Sequence, residues 1–348
     1  MTDTDAGRTR SAEREGPAAP VPFTRRRAVP AGWHGIPRNK VLVVGMDGLR
    51  HDRLVRSAAH APVLHGLLSG GAHGTSLLPY GETDGQADGG PRTSMAYTDS
   101  GPGWSSVLTG VWPDRHGVTG NDFAGADYAR HPDFLSRAAL ARPGLRTAAA
   151  VSWPELVHRG VLGPAIGRRV HHDGESDGYA TADDLVARTA LRWLTEDDPD
   201  LTFVYFGATD EAGHDTGPFS AAYDHALLTQ DTHLGRLLAA LDARPSDERW
   251  TVLVTTDHGH LDTGGHGGDT RAEREVFVVL AEPGTPPGTR LDSPRLVDIA
   301  PTVLDRLGIP VDPDWGLAGR VLPKPATPPT PRVPGTPHTP TEKGATRR

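Results

Sequence analysis

Residues 251–268 read TVLVTTDHGHLDTGGHGG, and the organisation of the whole chain can be worked out from this stretch. Its first six residues form a short apolar and β-branched run of the length of a buried strand. The run ends in an acid and an imidazole, Asp257 and His258, and a glycine-rich loop then carries His266. Unbroken apolar runs of this kind belong to strands covered on both faces, as in parallel sheets. In an open parallel sheet, ligand groups collect just beyond the carboxyl ends of the strands. The position of Asp257 and His258 therefore predicts both a fold and the edge on which its site lies.

Working outward, KVLVVGM (40–46), RTAAAVSW (146–153), LTFVYFGA (201–208) and EVFVVLAE (275–282) read as further buried parallel strands. Helical patterns lie at 59–69, 103–110, 180–196, 219–243 and 298–307. The third sets Ala182, Leu185, Val186, Ala190 and Trp193 on roughly one face. This alternation predicts an α/β fold, a doubly wound and mostly parallel central sheet with helices on both faces. Asp47 follows the first strand between glycines, and Asp210 follows LTFVYFGA. Three separate strands thus deliver metal-type ligands to one edge.

Bulk properties narrow the chemistry. With 348 residues the chain can form one wide sheet, and Gly 42 with Pro 32 point to many loops. Residues 1–37 and 324–348 are polar and proline-containing, and are expected to be disordered tails around a domain at 38–323. A net charge of −8 offers no basic surface for nucleic acid. No apolar stretch is long enough to span a bilayer, and the prolines after Arg25, Arg26 and Arg27 leave no export signal. A cytoplasmic location without a membrane partner is expected. With Cys 0, any metal must be held by carboxylate and imidazole.

Asp257, His258 and His266 form a suitable set for a borderline ion such as zinc, and manganese would also be accepted. Asp210 and His214, four residues apart in GATDEAGHDTGP, face the same way on a helical turn. Glu211 and Asp215 read as solvated neighbours. In DSGPGWSSVLTGVWPDRHGVTGN (99–121), Ser100 precedes Gly101, Pro102 and a helix expected to begin near Gly103 or Trp104. Amides at that helix start would face an anion, and Ser100 is placed either as a nucleophile or as a simple N-terminal cap. Phosphoryl transfer needs a deprotonated nucleophile and neutralised oxygens, which two ions roughly 4 Å apart supply together.

The ordered set is an acid after the first strand, a Ser before TG-x-x-P-x-x-HG, then D-x-x-x-H, DHG and a final His. It resembles the alkaline phosphatase superfamily, and looks most like its nucleotide pyrophosphatase and phosphodiesterase branch. The resemblance covers about residues 39–323, including DIAPTVLDRLGIP at 298–310. It implies that Asp47, Asp257 and His258 hold one divalent metal ion with Ser100, and that Asp210, His214 and His266 hold the other. It also implies zinc, a phosphoseryl intermediate on Ser100, and a small-molecule phosphate ester or nucleotide as substrate, with a phosphodiester or nucleotide pyrophosphate preferred and a monoester also accepted. Ser100 stands where that branch usually has Thr, and Gly103 stands where an Asn is expected to contact the phosphoryl oxygen. Trp104 or backbone amides are candidates to replace it.

A sulfatase is the nearest rival reading, although Trp104 replaces the Arg of that maturation motif and Met46 precedes Asp47 where paired acids are usual. A phosphoglycerate-type mutase would carry an inserted domain, and none is evident between residues 47 and 210. A non-catalytic metal-binding module is the alternative from another class. The loop 81–100 is a candidate lid. His116 reads as structural, His51, His60, His65, His171 and His172 as surface groups, and His260 as a neighbour that supports the ligands.

Overall fold

A computed structural model describes residues 38–56, 58–84 and 92–325. Ten strands occur among them: β1 (Arg38–Met46), β2 (Ala72–Leu77), β3 (Tyr80–Asp84), β4 (Arg92–Met95), β5 (Thr147–Val151), β6 (Arg168–His171), β7 (Leu201–Phe206), β8 (Glu248–Thr255), β9 (Glu275–Ala281) and β10 (Thr289–Arg290). Eight form one sheet in the order β10-β2-β9-β8-β1-β7-β5-β6, while β3 and β4 pair as a separate hairpin. The five strands β8-β1-β7-β5-β6 are parallel neighbours.

The expectation of a parallel strand at 275–282 is corrected, because β9 runs antiparallel to both β8 and β2. A parallel neighbour requires a crossover back to the starting edge. The chain between Thr255 and Glu275 holds only the four-residue helix Arg271–Arg274, so it returns directly from the edge where β8 ends.

Alternation along β1 explains why its sequence is apolar without a break. Val41 and Val43 enter one core with Phe203, Leu253, Val276 and Val278, against Trp104 and the helices Phe134–Ala141 and Ile299–Arg306. Leu42 and Val44 enter a second core with Val204, Val252, Val254 and Phe277, against the helices Pro62–Gly70, Tyr179–Arg192 and Ala221–Asp242. Helices therefore cover both faces, and neither side of a central strand meets water.

Register brings the strand ends level. Met46 pairs with Phe206 and Gly45 with Thr255. The residues immediately after β1, β7 and β8 thus emerge side by side. At the opposite end, buried Lys40 is held by Asp198 Oδ1 at 2.8 Å and Asp200 Oδ1 at 3.1 Å, which sets a closed structural network apart from the ligand edge.

The expected N-terminal tail lies outside the described residues, as does the C-terminal tail apart from Lys324, which pairs with Asp305, and Pro325. Within the candidate lid, residues 85–91 also lie outside them.

Candidate functional site

The helix that carries Ser100 begins earlier than its sequence pattern implies, spanning Ser100–Thr109 with Asp99 at its cap position. Ser100 is therefore the first helical residue, and its Oγ lies 3.4 Å from Asp47 Oδ1 and 3.2 Å from His258 Nε2. These contacts face the strand ends and make no helix cap.

Asp47 is held from behind. Trp104 Nε1 donates to its Oδ2 at 2.8 Å, and the Tyr205 hydroxyl donates to the same oxygen. With one oxygen saturated by two donors, Oδ1 is left facing Ser100 and His258. Asp257 Oδ2 is buried 3.4 Å from His258 Nε2 but has no hydrogen-bond partner. His258 Nδ1 lies 3.0 Å from the Gly259 carbonyl, so its Nε2 is free to face the carboxylates.

A second group adjoins the first. The nine-residue helix Ala208–Thr216 carries Asp210 and His214 on one face, and the loop after β8 brings His266 over them. His214 Nε2 lies 2.9 Å from His266 Nε2 and 3.4 Å from Asp210 Oδ2. His266 Nδ1 sits 2.7 Å from the Thr98 carbonyl, which turns its Nε2 inward. The rings of His258 and His266 are 3.9 Å apart, joining the two groups. The potential ligand atoms of Asp47, Asp257 and His258 lie within 4.8 Å of one another, as do those of Asp210, His214 and His266.

The electrostatics require a positive charge. Asp47 and Asp257 are buried, and Asp210 is 17% exposed. No lysine or arginine among the described residues pairs with any of the three. Burial, reinforced by Asp210, pushes the Asp47 carboxyl up to about 7. Burial and the Asp47 charge push Asp257 well above the usual carboxylate range. Burial holds His258 well below its usual range, so it is a neutral imidazole. At His266 burial opposes the charge, but Asp99 and Asp210 outweigh it and raise the group to about 9. Three carboxylates close enough to act on one another electrostatically, an orphaned carboxylate oxygen and converging imidazole nitrogens form the donor set that divalent ions satisfy.

The glycine at position 103 is explained by its packing, and the sequence suggestion of Trp104 as a phosphoryl contact is corrected. Gly103 packs against Asp257, where an added Cβ would lie 2.8 Å from Asp257 Cβ, so no larger side chain fits there. Trp104 is buried and spends its only donor on Asp47. Asn121 stands beside Ser100 instead, accepting from the Gly101 amide at 2.7 Å through Oδ1 and lining the same pocket. Sequence reasoning missed it because 20 residues separate it from Gly101 and no local pattern marks it.

His260, read from the sequence as a neighbour of Asp257, is fully buried with Nε2 2.8 Å from Asp210 Oδ1, and its potential ligand atom lies within 4.8 Å of those of Asp210 and His258. His116 is buried against Ser106 Oγ at 3.0 Å, and burial lowers it to about 3. It anchors the Ser100–Thr109 helix. A pocket of about 780 Å³ opens over Ser100 and is walled by Trp153, Glu155, Arg159, Glu175, Tyr179 and Glu211.

Together with the family match given next, the fold defines a class, the alkaline phosphatase superfamily. Residues 41–273 match the model of the type I phosphodiesterase / nucleotide pyrophosphatase family, and the chain belongs to that family. Among curated proteins, it is 32% identical over 161 residues to the 2,3-bisphosphoglycerate-independent phosphoglycerate mutase of Haloarcula marismortui, covering 41% of this chain and 30% of that one. It is 24% identical over 256 residues to human ectonucleotide pyrophosphatase/phosphodiesterase family member 7, covering 67% of this chain and 50% of the relative. The chain thus spans no more than about half the length of either relative. In fold it is similar to murine ectonucleotide pyrophosphatase/phosphodiesterase 5, with TM-score 0.58, 15% identity and coverage of 78% and 96%. The phosphonate monoester hydrolase of Agrobacterium radiobacter is similar at TM-score 0.58, 19% identity and coverage of 82% and 76%.

Proposed function

We propose that the chain is a two-metal phosphodiesterase that uses Ser100 as its nucleophile. The observation that carries this reading is the position of Ser100 Oγ, 3.4 Å from Asp47 Oδ1 and 3.2 Å from His258 Nε2, at the floor of the pocket. Asp47, Asp257 and His258 would hold one ion and Asp210, His214 and His266 the other, with zinc suited to the donor types and manganese compatible with them. When bound, such ions lower the pKa of a hydroxyl and neutralise charge on phosphoryl oxygens.

The chain's own groups do the rest. Ser100 Oγ forms a bond to phosphorus as the ester P–O bond breaks and the first alcohol leaves. Water then cleaves the Ser100 phosphoester and restores the hydroxyl. The start of the Ser100–Thr109 helix turns the positive end of its dipole toward the phosphoryl oxygens, although the Gly101 amide is taken by Asn121 and Pro102 has none. Asn121 is within reach of the same oxygens from its place on the Gly101 amide.

The pocket wall favours a diester over a polyphosphate. Its one arginine, Arg159, is already paired with Glu155, while Glu175 and Glu211 add further negative charge. A second phosphate extending along that wall would meet carboxylates rather than cations. The murine relative of similar fold was crystallised with AMP, which is consistent with a single-phosphate product in such a site.

The test is a hydrolysis panel on metal-reconstituted enzyme with an aryl monophosphate, a bis-aryl phosphate, an aryl nucleotide diester, a nucleoside triphosphate and an aryl sulfate. A diester should be the fastest substrate and the sulfate slower by orders of magnitude. Equal or reversed rates for the sulfate would defeat the reading, and mass spectrometry showing formylglycine at position 100 would replace it with a sulfatase.

A further inference from the structure

The helix that carries Asp210 and His214 starts without a cap of its own. Its cap position is Gly207, which has no side chain to bond the first amides. Nor can another residue stand there, because an added Cβ would lie 2.4 Å from Tyr179 Cδ1. An uncapped buried helix start leaves amide donors without partners.

Those donors are satisfied from other elements, with Ser152 Oγ sharing the Gly207 amide at 3.1 Å. Asp183, fully buried on the helix Tyr179–Arg192, accepts the Gly207 amide at 3.0 Å through Oδ1 and the Ala208 amide at 3.0 Å through Oδ2. Its Oδ2 also accepts from Gln230 Nε2 at 2.9 Å. Gln230 Oε1 lies 3.1 Å from the Thr209 hydroxyl, which donates to the Asp47 carbonyl at 2.6 Å. Gln230 and Thr209 are likewise fully buried. A single chain of contacts therefore runs from Asp183 to the backbone of both candidate ligand groups.

We propose that Asp183 is a positioning residue for the metal centre: it caps the ligand helix in place of Gly207 and, through Gln230 and Thr209, fixes that helix relative to Asp47. This rests on the two-metal reading above. Asp183 touches neither pocket nor nucleophile, and it faces only donors. A carboxylate at a helix start is favoured by the helix dipole as well as by the bonds. Its length and two acceptor oxygens match two adjacent amides, a demand that an amide side chain cannot meet without turning an N–H toward another N–H.

The test is a stepwise zinc titration of metal-free protein against a chromophoric chelator, alongside thermal unfolding of the metal-free form. His214→Ala identifies which binding step belongs to the Asp210 group. Asp183→Asn should weaken that step about 10- to 100-fold, as loss of groups behind metal ligands typically does, while the other step stays near its original affinity. Gln230→Met, which keeps the cap and loses the link to Thr209, should weaken the same step by less. An unchanged step in Asp183→Asn overturns the proposal. So does equal weakening of both steps that merely follows the loss of thermal stability. If Asp183→Asn does not fold, Gln230→Met decides, and an unchanged step there overturns the proposal. An unaltered chain that binds no zinc would instead bring down the two-metal reading, and this proposal with it.

Discussion

His214 Nε2 and His266 Nε2 lie 2.9 Å apart, although one belongs to a helix and the other to a glycine-rich loop. Two imidazole nitrogens that close cannot both present lone pairs unless something positive lies between or beside them. In the metal-free protein a proton serves, and a cation must displace it. His266 is raised to about 9 and Asp47 to about 7, so at pH 6.5 both hold protons that bound metal would release. Zinc affinity should therefore climb as pH rises through 7 and level off near 9. Calorimetry at pH 6.5 in buffers of different ionisation enthalpy should detect net proton release. Binding that is independent of pH would contradict the ligand assignment.

The same values set the sign for the metal-free fold. His266 has a folded pKa above its unfolded one, so its contribution to stability is fully present below about 6.5 and disappears as pH rises through 9. Chelator-treated protein should lose thermal stability between pH 7 and 9, and zinc-loaded protein should not. Melting curves of both forms at several pH values would show it.

Ser100→Ala removes the attacking oxygen and its contacts to Asp47 and His258 but leaves every side-chain carboxylate and imidazole in the chain. Hydrolysis should fall by at least about 10³-fold, the order seen when a nucleophile is deleted. Two zinc ions per chain should remain by elemental analysis. Retained activity would exclude Ser100 as nucleophile.

Asn121→Ala tests the group that sequence reasoning missed. Loss of a donor to a developing oxyanion typically costs about 10²- to 10³-fold in kcat. KM for an aryl diester should change far less, and metal content should stay the same. A loss expressed in KM alone would make Asn121 a ground-state contact.

Gly103→Ala probes the close packing behind Asp257. The new methyl would stand 2.8 Å from Asp257 Cβ and 3.1 Å from its Oδ2, so the carboxylate must move. Zinc binding at the Asp47 group should weaken by about tenfold or more, as for other disturbances behind a ligand. Titration against a chelator would measure it, and unchanged affinity would mean that the helix yields instead.

Sequence alone determined the central strands and the edge on which the chemistry gathers. The reason is local: strands such as KVLVVGM and TVLVTT are covered on both faces, so they read as unbroken apolar runs, and Asp47, Asp257 and His258 come immediately after them. Strands at and next to the sheet's edges were not legible, since AHGTSL, second from one edge, and RRVH, at the other, are only partly buried and carry no apolar run. Tertiary structure alone decided the direction of β9, the start of the helix that carries Ser100, the place of Asn121 beside Gly101, and the support of Gly207 by Asp183. Each of these depends on which distant segments meet, and a contact across tens of residues leaves no period or spacing in the sequence that could announce it.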